Sequence, residues 1–224
     1  NLDGANLFVS SGGGINFPAL GTFVDTAGCC GVIWEANGVG TYLNFPALTN
    51  LAGNPTWSPT IRALAGGTIH LGAVRQIPDS LLYFLADGTN SVIVLTNLPT
   101  YAGPNRLISF EARNTGVIQT PRLIDGYYST FTVRSGGSLN LNQLTRSRGF
   151  TVEGASLTLP LLTNLSGANI SIAAGGSASF PSLQSFEDNA GCCGILWEAT
   201  GAGSLLSFPN LTRLTGSPTW TPFI

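Results

Sequence analysis

Leu43-Asn44-Phe45-Pro46-Ala47-Leu48-Thr49-Asn50-Leu51 is the stretch on which the fold turns. It returns as Leu157-Thr158-Leu159-Pro160-Leu161-Leu162-Thr163-Asn164-Leu165 and as Leu206-Ser207-Phe208-Pro209-Asn210-Leu211-Thr212-Arg213-Leu214, with shorter copies at Ile15 to Leu20 and Ala178 to Leu183. The residues before each Pro alternate apolar and polar, the pattern of a strand with one buried face. Pro cannot donate to a ladder, so it stops that strand. Upstream lie glycine corners, Gly12 to Gly14, Gly66-Gly67, Gly136-Gly137 and Gly175-Gly176, which call for a positive φ that glycine adopts without steric cost. Before the corners come short runs such as Phe131-Thr132-Val133, Phe150-Thr151-Val152 and Asn169-Ile170-Ser171-Ile172, alternating and rich in β-branched or aromatic residues. The module of strand, corner, strand and Pro step recurs about every 17 to 28 residues, the length of one solenoid coil.

The expected fold class is therefore all-β, a parallel β-helix (β-solenoid) of about nine to ten short coils stacked at about 4.8 Å each, with irregular loops at the Cys-Cys segments. A longer repeat is superimposed on the coils. Asn1 to Asn6 returns at Asn164 to Asn169, Gly28-Cys29-Cys30-Gly31 at Gly191-Cys192-Cys193-Gly194, and Pro55-Thr56-Trp57 at Pro218-Thr219-Trp220, all at one offset of 163 without a gap and with about 34 of 61 overlapping residues identical. Residues 1–163 form one long unit and 164–224 the start of a second, continuous with the first in a single elongated domain. The last residue, Ile224, matches Ile61 in mid-unit and the first is not Met, which leads us to expect a processed product or part of a longer array.

At this level the chain resembles the repetitive bacterial extracellular parallel β-helix proteins of the adhesin and filament type. The resemblance rests on Phe17-Pro18, Phe45-Pro46, Phe180-Pro181 and Phe208-Pro209 with their following leucines, and it covers nearly the whole chain; only Arg62 to Tyr128 departs from the pattern. It implies a structural role outside the cell or at the cell surface, and it brings no catalytic residues with it.

Composition narrows the alternatives. Charged residues are 9% of the 224, with nine Arg, no Lys and eleven acidic residues for a net charge of −2, against about 25% in an ordinary domain. The scattered arginines form no basic stripe, which argues against a nucleic-acid partner, and no apolar run approaches the roughly 18 to 20 residues of a membrane-spanning helix. Hydrophobic residues at 43% argue against a disordered linker. Stacked coils supply a cause for the missing charge: like charges would repeat about 4.8 Å apart up the stack, so Ser, Thr and Asn take their place. A surface so poor in repulsion should also associate side by side.

Four cysteines and four tryptophans are the candidate site residues. Cys29-Cys30 and Cys192-Cys193 are read as small buried side chains at a corner, or as disulfide candidates that pair vicinally, staple a loop or join neighbouring chains. Seven coils would set the two pairs roughly 34 Å apart, too far for a direct bond between them, and no nearby His completes a zinc site. Trp34 and Trp197 beside the cysteines, with Trp57 and Trp220 in Pro-Thr-Trp segments, are read as possible interaction or glycan contacts on a solenoid face, or as covers for a sheet edge or a neighbouring chain. No catalytic, metal or cofactor-binding residue is assigned. The one His, His70, falls on an outward strand position, and Glu187-Asp188 is not preserved between units because Glu187 aligns with Val24.

The function expected from these readings is a structural segment of an extracellular fibre or surface filament whose partner is itself, assembled by axial stacking and end-to-end contacts. An adhesin or glycan-binding stalk that uses the Trp loops on surface glycans is the alternative, and a polysaccharide-active β-helix enzyme a minor one. An ice-binding role is set aside because Thr49, Thr96 and Thr163 place one Thr per coil in a turn, without a Thr-x-Thr array.

Overall fold

The computed structural model describes residues 2–216 apart from Ala27, Cys29, Asp79, 101–105 and 189–193. Every regular element among them is a β-strand, and every strand-to-strand pairing is parallel. The longest sheet holds nine strands in unbroken chain order, from Leu7–Ser10 through Ile33–Asn37, Thr60–Leu64, Leu82–Asp87, Ile108–Arg113, Asp125–Arg134, Arg146–Glu153 and Asn169–Ala173 to Trp197–Thr200. Each of these rungs is followed by a corner and a three-residue strand of the second side, which is a six-stranded sheet from Gly14–Asn16 to Ser138–Asn140 and then a three-stranded one from Ser156–Thr158 to Leu205–Ser207. The third side is paired only locally, Thr22–Val24 with Asn50–Ala52 and Ser185–Glu187 with Arg213–Thr215. The expected parallel β-solenoid is thus observed. Its nine rungs complete about eight turns, slightly fewer than the nine to ten coils expected.

The corners use two glycines for two different reasons. In Leu64-Ala65-Gly66-Gly67 the Gly67 amide donates to the Leu64 carbonyl at 2.9 Å while Ala65 (φ 49) and Gly66 (φ 93) are both left-handed, the type I′ pattern that turns a strand sharply with its twist. Gly67 itself has no positive φ, so the expectation that corner glycines serve only backbone freedom is incomplete. Its role is close approach: a Cβ there would lie 2.1 Å from the carbonyl oxygen of Ala36 on the rung below. The Pro steps are also more than strand stops. Phe45-Pro46-Ala47-Leu48 closes with the Leu48 amide donating to the Phe45 carbonyl at 3.2 Å, which puts Pro at the turn position whose φ it pre-sets.

Inward residues form continuous columns. On the long sheet Trp34, Ile61, Phe84, Phe110, Phe131, Phe150, Ile170 and Trp197 register one above another, and all are buried. The adjacent column is small, with Ala36, Ala63, Ala86 and Ala112. Opposite them stand Phe17, Phe45, Thr120, Leu159, Phe180 and Phe208 at the Pro steps, and Leu71, Leu95 and Leu141 at the equivalent positions, where Gly72, Thr96 and Asn142 take the place of Pro. The aromatic stack crosses the core: Phe17 and Phe45 carry it at the Pro steps of the first two coils, Phe84 to Phe150 on the long sheet, and Phe180 and Phe208 at the Pro steps again. The hand-over from Phe150 to Phe180 has centroids 5.5 Å apart. This exchange of volume explains why the stretch from Arg62 to Tyr128 departs from the Phe-Pro pattern without leaving the fold. Thr120 occupies a phenylalanine position, and its hydroxyl donates to the Asn140 carbonyl at 2.9 Å, which meets the need of a polar group in the core.

Candidate interaction surfaces

The 163-residue repeat is a repeat of contacts as well as of letters. Trp34 lies 4.6 Å from Phe23 and 4.7 Å from Phe45, ring centre to ring centre; Trp197 lies 4.4 Å from Phe186 and 4.9 Å from Phe208. The Trp34 indole donates to the Ala5 carbonyl at 3.3 Å and the Trp197 indole to Ala168 at 2.9 Å. Asn6 accepts the Ile33 amide as Asn169 accepts the Leu196 amide. Seven rungs of the long sheet separate the two tryptophans, and both sit in the same inward column.

This burial corrects the reading of Trp34 and Trp197 as glycan or interaction contacts. With 1% and 2% of their surface exposed, they face the core, and neither covers a sheet edge. The signal was present in Ile33-Trp34-Glu35-Ala36-Asn37: Glu35 and Asn37 face out, so Trp34 and Ala36 must face in. Trp57 is the tryptophan that reaches solvent, 44% exposed, and Trp220 lies outside the described residues. Trp57 follows an Asx turn in which Asn54 Oδ1 accepts the amides of Thr56 and Trp57 at 2.8 and 3.0 Å. The turn borders an open cleft of about 630 Å³ that Val24, Asp25 and Pro55 also line. Asp25 and its counterpart Asp188 are both buried on the third side, a matched pair beside the unmatched Val24 and Glu187. Of the cysteines, Cys30 is exposed at a left-handed φ of 59, while Cys29, Cys192 and Cys193 lie outside the described residues, and the disulfide expectation with them. His70 is exposed on the second side in register with Asn44 and Val94, the outward position expected.

Charge is gathered on the outer face of the long sheet, where acids and arginines interleave; Arg113 and Arg134, in direct register on adjacent rungs, are bridged by Glu111. Arg62 pairs with Glu35 at 2.6 Å, Arg113 with Asp87 at 2.9 Å, and Arg134 with Glu111 at 3.3 Å and Glu153 at 3.0 Å. Opposite charges on adjacent rungs turn the penalty of stacked like charges into mutual support. Tyr83 joins this network by donating its hydroxyl to Glu111 at 2.7 Å. Burial, and then the hydrogen bond to the carboxylate and its charge, hold the Tyr83 phenol far above the ordinary tyrosine range. A raised folded value makes this contribution to stability complete below about pH 10, and it is lost as pH rises through the folded value. The alkaline absorbance difference between the native chain and Tyr83→Phe is therefore expected to appear well above pH 10, and Glu111→Gln to bring it down. A difference midpoint near pH 10 in the native chain would contradict this account.

Further along the same face the strand Asp125–Arg134 bulges between Gly126 and Thr130 against its neighbour. Arg146 forms a two-pronged ion pair with Asp125 and lies 5.1 Å from the centre of the Tyr127 ring. Burial pushes the Asp125 carboxyl up, but the Arg146 hydrogen bond, the Tyr127 amide and the Arg146 charge outweigh it and leave the carboxyl below its ordinary value. Beyond the bulge Gly149 leaves a gap between Thr130 and Asn169, part of a cleft of about 370 Å³ lined also by Arg148, Thr151, Ser171 and Leu196. Its hydroxyls and one guanidinium stand beside a larger apolar surface from Leu107, Phe150 and Leu196. No family model, curated protein or solved structure matches the chain.

Proposed function

We propose that this chain is a segment of an extended β-solenoid rod with a structural role in an extracellular fibre or surface filament. The observation that carries this reading is the phase of the long repeat: 163 residues equal seven rungs, so equivalent side chains return in the same column of the same sheet. Units related in this way concatenate on one axis without a change of register, and each contacts only its neighbours. Whether the next rung belongs to the same chain or to another copy, it meets the half-buried ring of Phe17 at one end or Phe208 at the other. The extracellular setting is supported by the resemblance to repetitive surface proteins. With Trp34 and Trp197 in the core, the glycan-binding alternative is left with Trp57 and its cleft, and with Trp220 outside the described residues.

The test is length. In electron micrographs, each 163-residue unit added to the 224-residue chain is expected to lengthen the particle by about 34 Å, seven rungs at about 4.8 Å, at constant width. Particles that grow in width, or whose length does not rise in equal steps, would refute the proposal.

A further inference from the structure

Nineteen of the twenty charged residues avoid one side of the solenoid. From each first corner through the second-side strand to the end of the Pro step, the chain runs through residues 11–20, 38–48, 65–74, 88–98, 114–123, 135–144, 154–162, 174–183 and 201–211. These stretches, about 90 of the 224 residues, contain none of the eleven acidic residues and one of the nine Arg, Arg122, which sits beyond the second-side strand at a Pro step and donates to Asn97 Oδ1 at 3.0 Å. Stacking alone does not require this, because the long sheet of the same molecule accommodates charge by pairing its arginines with acids on other rungs. The outward rows of the second side are Tyr42, Thr68, Val92, Val117 and Ser138, and beside them Asn16, Asn44, His70, Val94, Gln119 and Asn140. They present neutral polar side chains, valines and the ring of Tyr42 on a parallel ladder. Depletion of charge with apolar groups at the centre is the composition of an interface core.

We propose that this charge-poor side is the lateral contact face between copies of the rod; the inference rests on the rod reading above. Two arguments select a second copy as the occupant. The rung spacing is set by backbone hydrogen bonds and is identical in every copy, so two rods match row for row along their whole length, whereas a globular partner meets only a few rungs. The available area points the same way. A three-residue strand is about 10 Å wide, so nine rungs offer about 400 Å² of sheet, half of the roughly 800 Å² per partner in a stable interface. About 21 rungs, three units, reach about 1,000 Å². Lateral association is therefore a property of the array and switches on with length.

The experiment compares the 224-residue chain with the same chain extended by two further units, using sedimentation velocity and electron microscopy. The extended rods are expected to pair side by side at micromolar concentration and the 224-residue chain to stay single, and 1 M NaCl should not separate the pairs because no ion pair holds them. Val94→Glu in every unit, an outward change, should weaken pairing at least tenfold with rod length unchanged, whereas Thr151→Glu on the long sheet should leave pairing intact. Rods that lengthen as expected but stay single, pairs that salt dissolves, or pairs indifferent to Val94→Glu would overturn the lateral face and spare the rod. Retention of single rods on an insoluble neutral β-glucan, abolished by Val94→Glu, would assign the face to a polysaccharide and overturn self-association. Failure of the rods to lengthen would remove the rod reading, and this inference with it.

Discussion

Trp34→Ala is expected to destabilise the solenoid by about 3 to 5 kcal/mol and to loosen the first two rungs before any other part of the chain. The indole fills the space between Phe23 and Phe45, and Phe45 in turn stacks on Phe17 at 5.1 Å. Truncation removes one side of the first two contacts, takes the support from behind the third, and leaves a cavity that residues fixed by the ladders on both flanks cannot close. It also leaves the Ala5 carbonyl without the indole that now donates to it. Because rungs couple to nearest neighbours, the loss stays local. Amide hydrogen exchange should show lost protection from Leu7–Ser10 through Asn50–Ala52 and retained protection in Ile108–Arg113 and Arg146–Glu153. Trp197→Ala should produce the same local loss between Asn169–Ala173 and Leu205–Ser207. A small change in stability, or an even loss of protection along the whole chain, would show that the tryptophans are not the local keystones that their burial indicates.

The same tryptophans show where sequence reading succeeds and where it fails. Parallel coils were legible because Asn44, Thr158 and Ser207 separate apolar neighbours at strand period and Pro follows at a constant distance. The inward direction of Trp34 was equally legible from Glu35 and Asn37, but a rare large aromatic beside a Cys-Cys pair drew a functional reading that the alternation should have overruled. The middle coils were obscured for a different reason. Core volume at one level is shared by two sheets, and in the coils of Phe84, Phe110, Phe131 and Phe150 the large residue sits on the long sheet. A motif defined by Phe at the Pro step fades in those coils because the large residue stands on the other sheet. The alternating ion pairs could not be read at all before the register was known, since Glu35 and Arg62 are 27 residues apart and Asp87 and Arg113 are 26. Low charge was visible in the composition; its near-complete exclusion from one side required knowing which residues share that side.

The corners carry the other large effect. Gly67→Ala is expected to destabilise the chain by about 3 kcal/mol or more, at or beyond the upper end of ordinary overpacking, while Gly66→Ala in the same corner should cost about 1 to 2 kcal/mol. The two substitutions add the same methyl group. At Gly66 the penalty is the left-handed backbone, φ 93, which alanine can adopt under strain, as the neighbouring Ala65 already does at φ 49. At Gly67 the methyl would lie 2.1 Å from the Ala36 carbonyl oxygen and 2.5 Å from its carbon, backbone atoms that can retreat only if the rungs part. The second glycine of the corner is thus dictated by the spacing of the stack itself. Gly137, 2.1 Å from the Ala112 carbonyl oxygen by the same construction, should behave like Gly67, and Gly136, at φ 76, like Gly66. Thermal unfolding of the four variants should sort them by position within the corner, irrespective of which rung is altered. Equal costs at Gly66 and Gly67 would mean that backbone conformation alone selects glycine here and that the stack can open at its corners without loss.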